Sequence, residues 1–264
     1  MMTGTEDQKK HSIRTSVCVT GCIRSGSSMI TRILNICGMN LGSKFDILEP
    51  DNVGNPSGYW ENIKFLYGNR LIMQAYNEDL DKLNHPSIGN NTKDISIDEA
   101  FKIARDFIKQ ELKGNFVGWK DPNNSLTVGF WQKAIPDLKI VVCLRRPMDT
   151  AKSISTSPFY NLSFENGLRL WERYYQNVIK QVPSKKLIVT QYENYFTNPQ
   201  FEISRLLRKM EINYPDPKVI ELATSSVQPS LRHYKDTFTP DIDKALVVRV
   251  NLIYKKLKSL ASIN

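Results

Sequence analysis

Val17-Cys18-Val19-Thr20-Gly21-Cys22-Ile23-Arg24-Ser25-Gly26-Ser27-Ser28-Met29-Ile30 is the stretch that decides the fold. Its first four residues are short and rich in β-branched side chains, and they stop at Gly21, as a buried strand does. Beyond the glycines, Met29, Ile30, Ile33, Leu34 and Cys37 recur at helical spacing, and Gly38 offers a stop. Strand, glycine-bearing loop and helix together form the opening of an α/β fold.

The loop from Gly21 to Ser28 has the spacing of the phosphate-binding pattern G-x-x-x-x-G-K-[ST], with Ser27 where the lysine belongs. Glycines let a backbone wrap an anion, successive N–H groups then point inward, and a helix N-terminus favours negative charge. The hydroxyls of Ser25, Ser27 and Ser28 add donors. The missing lysine is the group that reaches the β- and γ-phosphates of a nucleoside triphosphate. Arg24 places positive charge elsewhere in the loop, which suits a shorter anion held without a bridging Mg²⁺.

Outward from the loop, apolar runs and helical periods alternate. Strands are expected at Phe116–Trp119, Lys139–Leu144 and Leu187–Thr190. Helices are expected over Ile63–Tyr76, from the Ser96-x-x-Glu99 capping box to about Lys113, over Leu126–Ile135, from Met148, over Phe164–Val182, over Gln200–Met210 and from Asp241 to Leu260. Strands separated by helices predict a three-layer α/β sandwich with a central parallel sheet. Ligands of such sheets bind beyond the C-terminal ends of the strands. The 264 residues, 41% of them hydrophobic, and the lack of a Gly/Ser/Pro-rich linker predict one domain over 15–264 behind a polar tail, 1–14.

Thirty-six Lys and Arg against 27 Asp and Glu give a net charge of +9, which draws anions. The basic residues are dispersed, without the clustered patch or recognition signature of a nucleic-acid-binding module, so no nucleic-acid partner is expected. Cys18, Cys22, Cys37 and Cys143 form no CxxC pair and have no zinc spacing with histidine, so no metal site is expected. The polar N-terminus lacks the apolar stretch of a signal peptide, and no run nears the ~20 apolar residues of a membrane span. A cytoplasmic protein without transmembrane segments is the expectation, and a homodimer is allowed.

A second anion motif follows the strand that ends at Leu144: Arg145-Arg146-Pro147-Met148-Asp149-Thr150-Ala151-Lys152-Ser153. An arginine at a strand end offers bidentate donors, and a serine a turn or so into the next helix faces the same side. With Arg24-Ser25-Gly26-Ser27-Ser28, this segment resembles the sulfotransferases that use 3′-phosphoadenosine 5′-phosphosulfate (PAPS). Their 5′-phosphosulfate loop runs [KR]-S-G-[TS]-[TS] and their 3′-phosphate motif R-x-P-x-D-x-x-x-S. Three further segments resemble the same family: Gly118-Trp119-Lys120-Asp121-Pro122, Tyr192-Glu193-Asn194, and Asn55-Pro56-Ser57-Gly58-Tyr59-Trp60-Glu61 in its bacterial members. The resemblance runs from residue 17 to about 210. Beyond it the C-terminal R-K-G motif of vertebrate members is missing, with Arg232 or Lys235 as candidate substitutes.

The resemblance implies transfer of a sulfuryl group from PAPS to a hydroxyl of a small-molecule, carbohydrate or lipid acceptor, with release of the desulfated product PAP. It assigns donor binding to Arg24, Ser25, Gly26, Ser27, Ser28, Arg145, Ser153 and Tyr192, and puts Lys120 and Arg24 near the transferred group. The position of the histidine base of cytosolic members holds Pro122; carbohydrate- and tyrosine-directed relatives use a glutamate after the phosphate loop, and this resemblance implies Glu61 as the base, with Glu49 and His233 as alternatives. Glu61 also reads as an exposed cap of the next helix. Tyr59, Trp60, Phe65, Phe159, Tyr160, Trp171, Tyr174 and Tyr175 either line an acceptor cleft or fill the core. Two other readings remain open: a P-loop small-molecule kinase, which expects a lysine at position 27, and a nucleotide-binding module of the same fold without catalysis.

Overall fold

The computed structural model describes residues 14–50, 57–76, 95–213, 215–229 and 242–262. The polar tail as far as residue 13, Asn55-Pro56, all three histidines, Arg232, Lys235 and the expected helix start at Asp241 lie outside the described residues.

Four strands, β1 (Thr15–Thr20), β2 (Phe116–Lys120), β3 (Lys139–Leu144) and β4 (Leu187–Gln191), form one sheet in the order β2-β1-β3-β4. Every neighbouring pair is parallel, with Val19 beside Lys120 and Val142 beside both Thr20 and Val189. All six residues of β1 are buried, as befits an interior strand covered on both faces. The period of two then decides which layer each side chain feeds. Val17 and Val19 join Val141 and Cys143 in a core under α1 (Ser27–Ile36), α7 (Pro199–Lys209) and α8 (Pro217–Ser225). Cys18 joins Ile140, Val142 and Trp119 in the opposite core. That layer holds α2 (Ile63–Ala75), α3 (Ile97–Glu111), α4 (Asn124–Ala134), α5 (Pro147–Ser155), α6 (Phe164–Gln181) and α9 (Lys244–Ser262). The molecule is therefore the expected three-layer α/β sandwich around a parallel sheet.

The expected elements all form, with ends shifted by up to three residues, as at α9, which starts at Lys244. Ser96 and Glu99 close the capping box of α3. The helix α8 was not foreseen: it is short, and its Asp216 cap sits between two prolines that read as a loop. All four cysteines are buried and unpaired by disulfides. Among the described residues, no helix is long and apolar enough to cross a membrane.

The strand order places the site. From β1 the chain moves to β2 on one side, then crosses to β3 and β4 on the other. The connections that follow β1 and β3 thus diverge, and a crevice opens between the C-terminal ends of these two strands. Both anion motifs start there.

Candidate active site

The loop after β1 is shaped by two residues in the left-handed region, Arg24 (φ 63°) and Gly26 (φ 89°). A Cβ at position 26 would lie 2.2 Å from Cδ2 of Tyr192, so the close approach of this ring demands glycine. Arg24 has no such freedom, and its conformation costs about 1–2 kcal/mol, a strain typical of functional loops. Helix α1 then starts with no capping side chain and no acidic residue in its first turn. The positive end of its dipole is left without protein charge to compensate it.

Arg145 leaves the end of β3, 6% exposed, and its Nη1 donates to the carbonyl of Arg24 at 3.0 Å. Its guanidinium carbon lies 4.7 Å from the centre of the Tyr192 ring, a cation–π distance. One α5 turn and more beyond, Ser153 Oγ accepts from Arg24 Nε at 3.1 Å. Trp171 Nε1 donates to the Arg145 carbonyl at 3.3 Å and fixes the strand end from α6. The Nε of Arg145 is buried and has no hydrogen-bond partner. Burial holds the Arg145 pKa below its ordinary value, against the charges of Tyr192, Asp149 and Glu193. A buried guanidinium N–H without a partner is costly unless an anion completes it. The loop, the cation and the glycine-lined approach to Tyr192 together fit a nucleotide phosphate.

A second group adjoins the first across Ser28. Lys120, the last residue of β2 and 3% exposed, forms an ion pair with Glu61 Oε1. Its Nζ also lies 3.3 Å from Ser28 Oγ and 3.5 Å from the Tyr59 carbonyl. Glu61 is 2% exposed, and its Oε2 is buried without a partner. The turn that presents it runs through Gly58 (φ 88°) and Trp60 (φ 62°), with Trp60 Nε1 bonded to the Ser57 carbonyl at 2.8 Å. Glu61 is not the helix cap. Asn62 takes that role, accepting from Lys64 N at 3.0 Å. Glu49 is exposed.

The expected site residues Arg24, Ser25, Gly26, Ser27, Ser28, Lys120, Arg145, Ser153, Tyr192 and Glu61 thus gather at one edge of the sheet. The eight aromatics divide. Phe65, Trp171, Tyr174 and Tyr175 are core, at most 1% exposed, whereas Tyr59, Trp60, Phe159 and Tyr160 keep part of their surface in solvent.

Sequence reasoning missed the supports. Asn62 Nδ2 donates to Glu111 Oε2 at 3.1 Å, and Glu111 also receives Ser43 N at 3.0 Å and pairs with Lys64. Behind Lys120, the fully buried Asn69 donates to Asp121 Oδ2 and Asn124 Oδ1, both at 2.7 Å. Its carbonyl accepts from Thr127 at 2.6 Å and Trp131 at 2.7 Å. This network ties α2, which begins beside Glu61, to the β2–α4 turn that carries Lys120. Burial, then the charge of Glu61, raises the Asp121 carboxyl to about 7. Nothing in the sequence marks Asn69 or Glu111, because each is a lone polar residue on a helix and its partners are distant in the chain.

Fold and site together define an α/β protein with a P-loop-like phosphate-binding loop. The profile of the sulfotransferase family matches residues 16–216, and the chain belongs to that family. Among solved structures, the sulfotransferase domain from the curacin biosynthetic pathway is similar, with a TM-score of 0.53 at 13% identity, covering 93% of this chain and 98% of that one. The sulfotransferase STF9 from Mycobacterium avium also has a TM-score of 0.53, at 12% identity, covering 96% of this chain and 78% of its own. At these identities the likeness is one of fold. No curated protein matches the sequence.

Proposed function

We propose that the protein moves a sulfuryl group from PAPS to a hydroxyl of a small-molecule, carbohydrate or lipid acceptor and releases PAP. The observation that carries this reading is Arg145: a buried cation with an unpartnered Nε, tied to Arg24 and facing Tyr192 at the switch point of the sheet. Arg145 and Ser153 hold the 3′-phosphate, Tyr192 lies against the adenine, and the 24–28 loop with the α1 N-terminus holds the phosphosulfate.

Charge grows on the sulfuryl oxygens and on the leaving phosphate during transfer, and Arg24 and Lys120 are the cations that meet it. Lys120 is placed for this by Ser28, 3.3 Å from its Nζ. Glu61 takes the acceptor proton as the acceptor oxygen bonds to sulfur and the sulfur–oxygen bond to the leaving phosphate breaks. Lys120 pairs with Glu61 Oε1, and Oε2, which has no partner, is the oxygen open to the acceptor proton.

The test is transfer of radiolabelled sulfate from PAPS to a panel of hydroxyl compounds in buffer with EDTA. Labelled sulfate ester is the expected product. PAP binding without transfer to any acceptor would reduce the protein to a nucleotide-binding module. Mg²⁺-dependent phosphoryl transfer from ATP would make it a kinase.

A further inference from the structure

The ladder between β1 and β3 ends at the pair Thr20 and Val142. Past it the two chains part, β1 into the loop that carries Arg24 and β3 toward Arg145. Strands that separate leave backbone N–H and C=O groups without ladder partners, and buried ones must find partners elsewhere. Here one side chain serves both strand ends. The hydroxyl of Tyr175, fully buried, accepts from Cys22 N at 3.3 Å and donates to the Cys143 carbonyl at 2.5 Å. A hydroxyl has one donor and two acceptor sites, so it fills both roles at once. It spans the gap that a direct ladder bond would otherwise close. The fit is tight: a Cβ on Gly21 would lie 2.6 Å from the same Cys143 carbonyl oxygen.

Tyr175 reaches this gap from α6, which is itself anchored beside the site. One turn earlier, Trp171 Nε1 donates to the Arg145 carbonyl at 3.3 Å, and the two rings lie 4.4 Å apart, centre to centre. Another turn back, a Cβ on Gly167 would lie 3.2 Å from Ala151 Cα, so α6 lies directly on α5, the helix of Ser153. A core tyrosine with a satisfied hydroxyl is ordinary. What sets Tyr175 apart is where its bonds end, two residues before Arg24 on one side and two residues before Arg145 on the other.

We propose that Tyr175 is a positioning residue that sets the width of the crevice, and with it the spacing of the 5′-phosphosulfate and 3′-phosphate subsites. The inference rests on the PAPS reading given above. The Tyr175 proton is spent on Cys143, so the residue acts through the loop and the strand end, not on the ligand. A nucleotide with one phosphate can settle in one subsite whatever the spacing. A nucleotide with both phosphates on one ribose needs the two subsites at a fixed distance, and it alone loses affinity when that distance drifts.

Calorimetry with three nucleotides tests this: PAP, AMP with only the 5′-phosphate, and 3′-AMP with only the 3′-phosphate. Tyr175→Phe keeps the ring and removes the hydroxyl. It should weaken PAP binding about 5- to 10-fold, the scale of one or two lost hydrogen bonds, and leave AMP and 3′-AMP within about twofold. An equal loss on all three ligands, or no loss on PAP, would overturn the inference and leave Tyr175 as a core residue. Should Tyr175→Phe fail to fold, Trp171→Phe decides. It removes the other α6 bond to the same strand end and should show the same selective loss on PAP, whereas equal changes on the three ligands would overturn the inference. A parent that binds PAP no better than either mononucleotide would bring down the functional reading, and this inference with it.

Discussion

Arg24 and Arg145 are held side by side, one guanidinium bonded to the other residue's carbonyl, so two like charges share one end of the crevice. Lys120 and Glu61, on the other side of Ser28, form an internally neutral pair, each nearly excluded from water. In the first half, the buried Nε of Arg145 has no hydrogen-bond partner, and an anion would supply one. The second half carries no net charge, and Oε2 of its carboxylate is buried without a partner. A buried pair with one partner removed leaves an uncompensated charge, which is why the two halves should respond differently to substitution. Damage to the arginine half should appear in nucleotide binding, and damage to the carboxylate half in turnover.

The largest expected effect tests the carboxylate half. Glu61→Gln should keep PAP affinity within about twofold and lower kcat by about 10²–10⁴-fold, the usual worth of a positioned base. Glu49→Gln, at an exposed position, should leave both quantities near those of the parent. Affinity and rate measured on the same preparations separate the two outcomes. An active Glu61→Gln beside a dead Glu49→Gln would move the base to the other carboxylate.

Arg145→Ala tests the other half. Loss of the charged donor should weaken PAP binding by about 2–3 kcal/mol, the usual scale for a hydrogen bond to a charged group. Calorimetry reads this directly. Unchanged affinity would remove Arg145 from the nucleotide site and dissolve the contrast between the halves.

The smallest effect concerns the support beneath Lys120. With its carboxyl raised to about 7 by burial and by Glu61, Asp121 binds more protons in the folded than in the unfolded chain between pH 4 and 7. Its contribution to stability therefore falls as pH rises across that window. Glu111 and Glu202 work in the opposite sense, because their carboxyls are lowered and their contribution is lost as pH falls. The parent-minus-variant difference for Asp121→Asn, from urea unfolding at several pH values, isolates the Asp121 slope and should decline from pH 4 to pH 7. A flat difference would show that Asp121 does not titrate there.

The same two halves explain what the sequence could tell. Residues 21–28 and 145–153 are contiguous segments at strand ends, where glycine, arginine and serine spacing is dictated by local backbone geometry. Their place in the fold and in the site was therefore legible. The parallel sheet was equally legible, because β1 and β3 are short apolar runs between helical periods. Glu61 was legible only as one of two meanings, base or cap, and Asn62 as the cap of α2 resolves half of that choice. Glu111, Asn69 and Asp121 act through partners about 50 residues away in the chain, and no local period or spacing encodes such contacts. The aromatics could be sorted only by the fold, since Tyr160 and Tyr174 have the same composition signal and opposite surroundings.

The central claim is that the arginine half reads a 3′-phosphate. Calorimetry of the parent with PAP and with AMP, in buffer containing EDTA, tests it most directly, because the two ligands differ only in that group. The account predicts tight binding of PAP, and binding of AMP weaker by roughly the 2–3 kcal/mol assigned to Arg145. Equal affinity for the two nucleotides would contradict it.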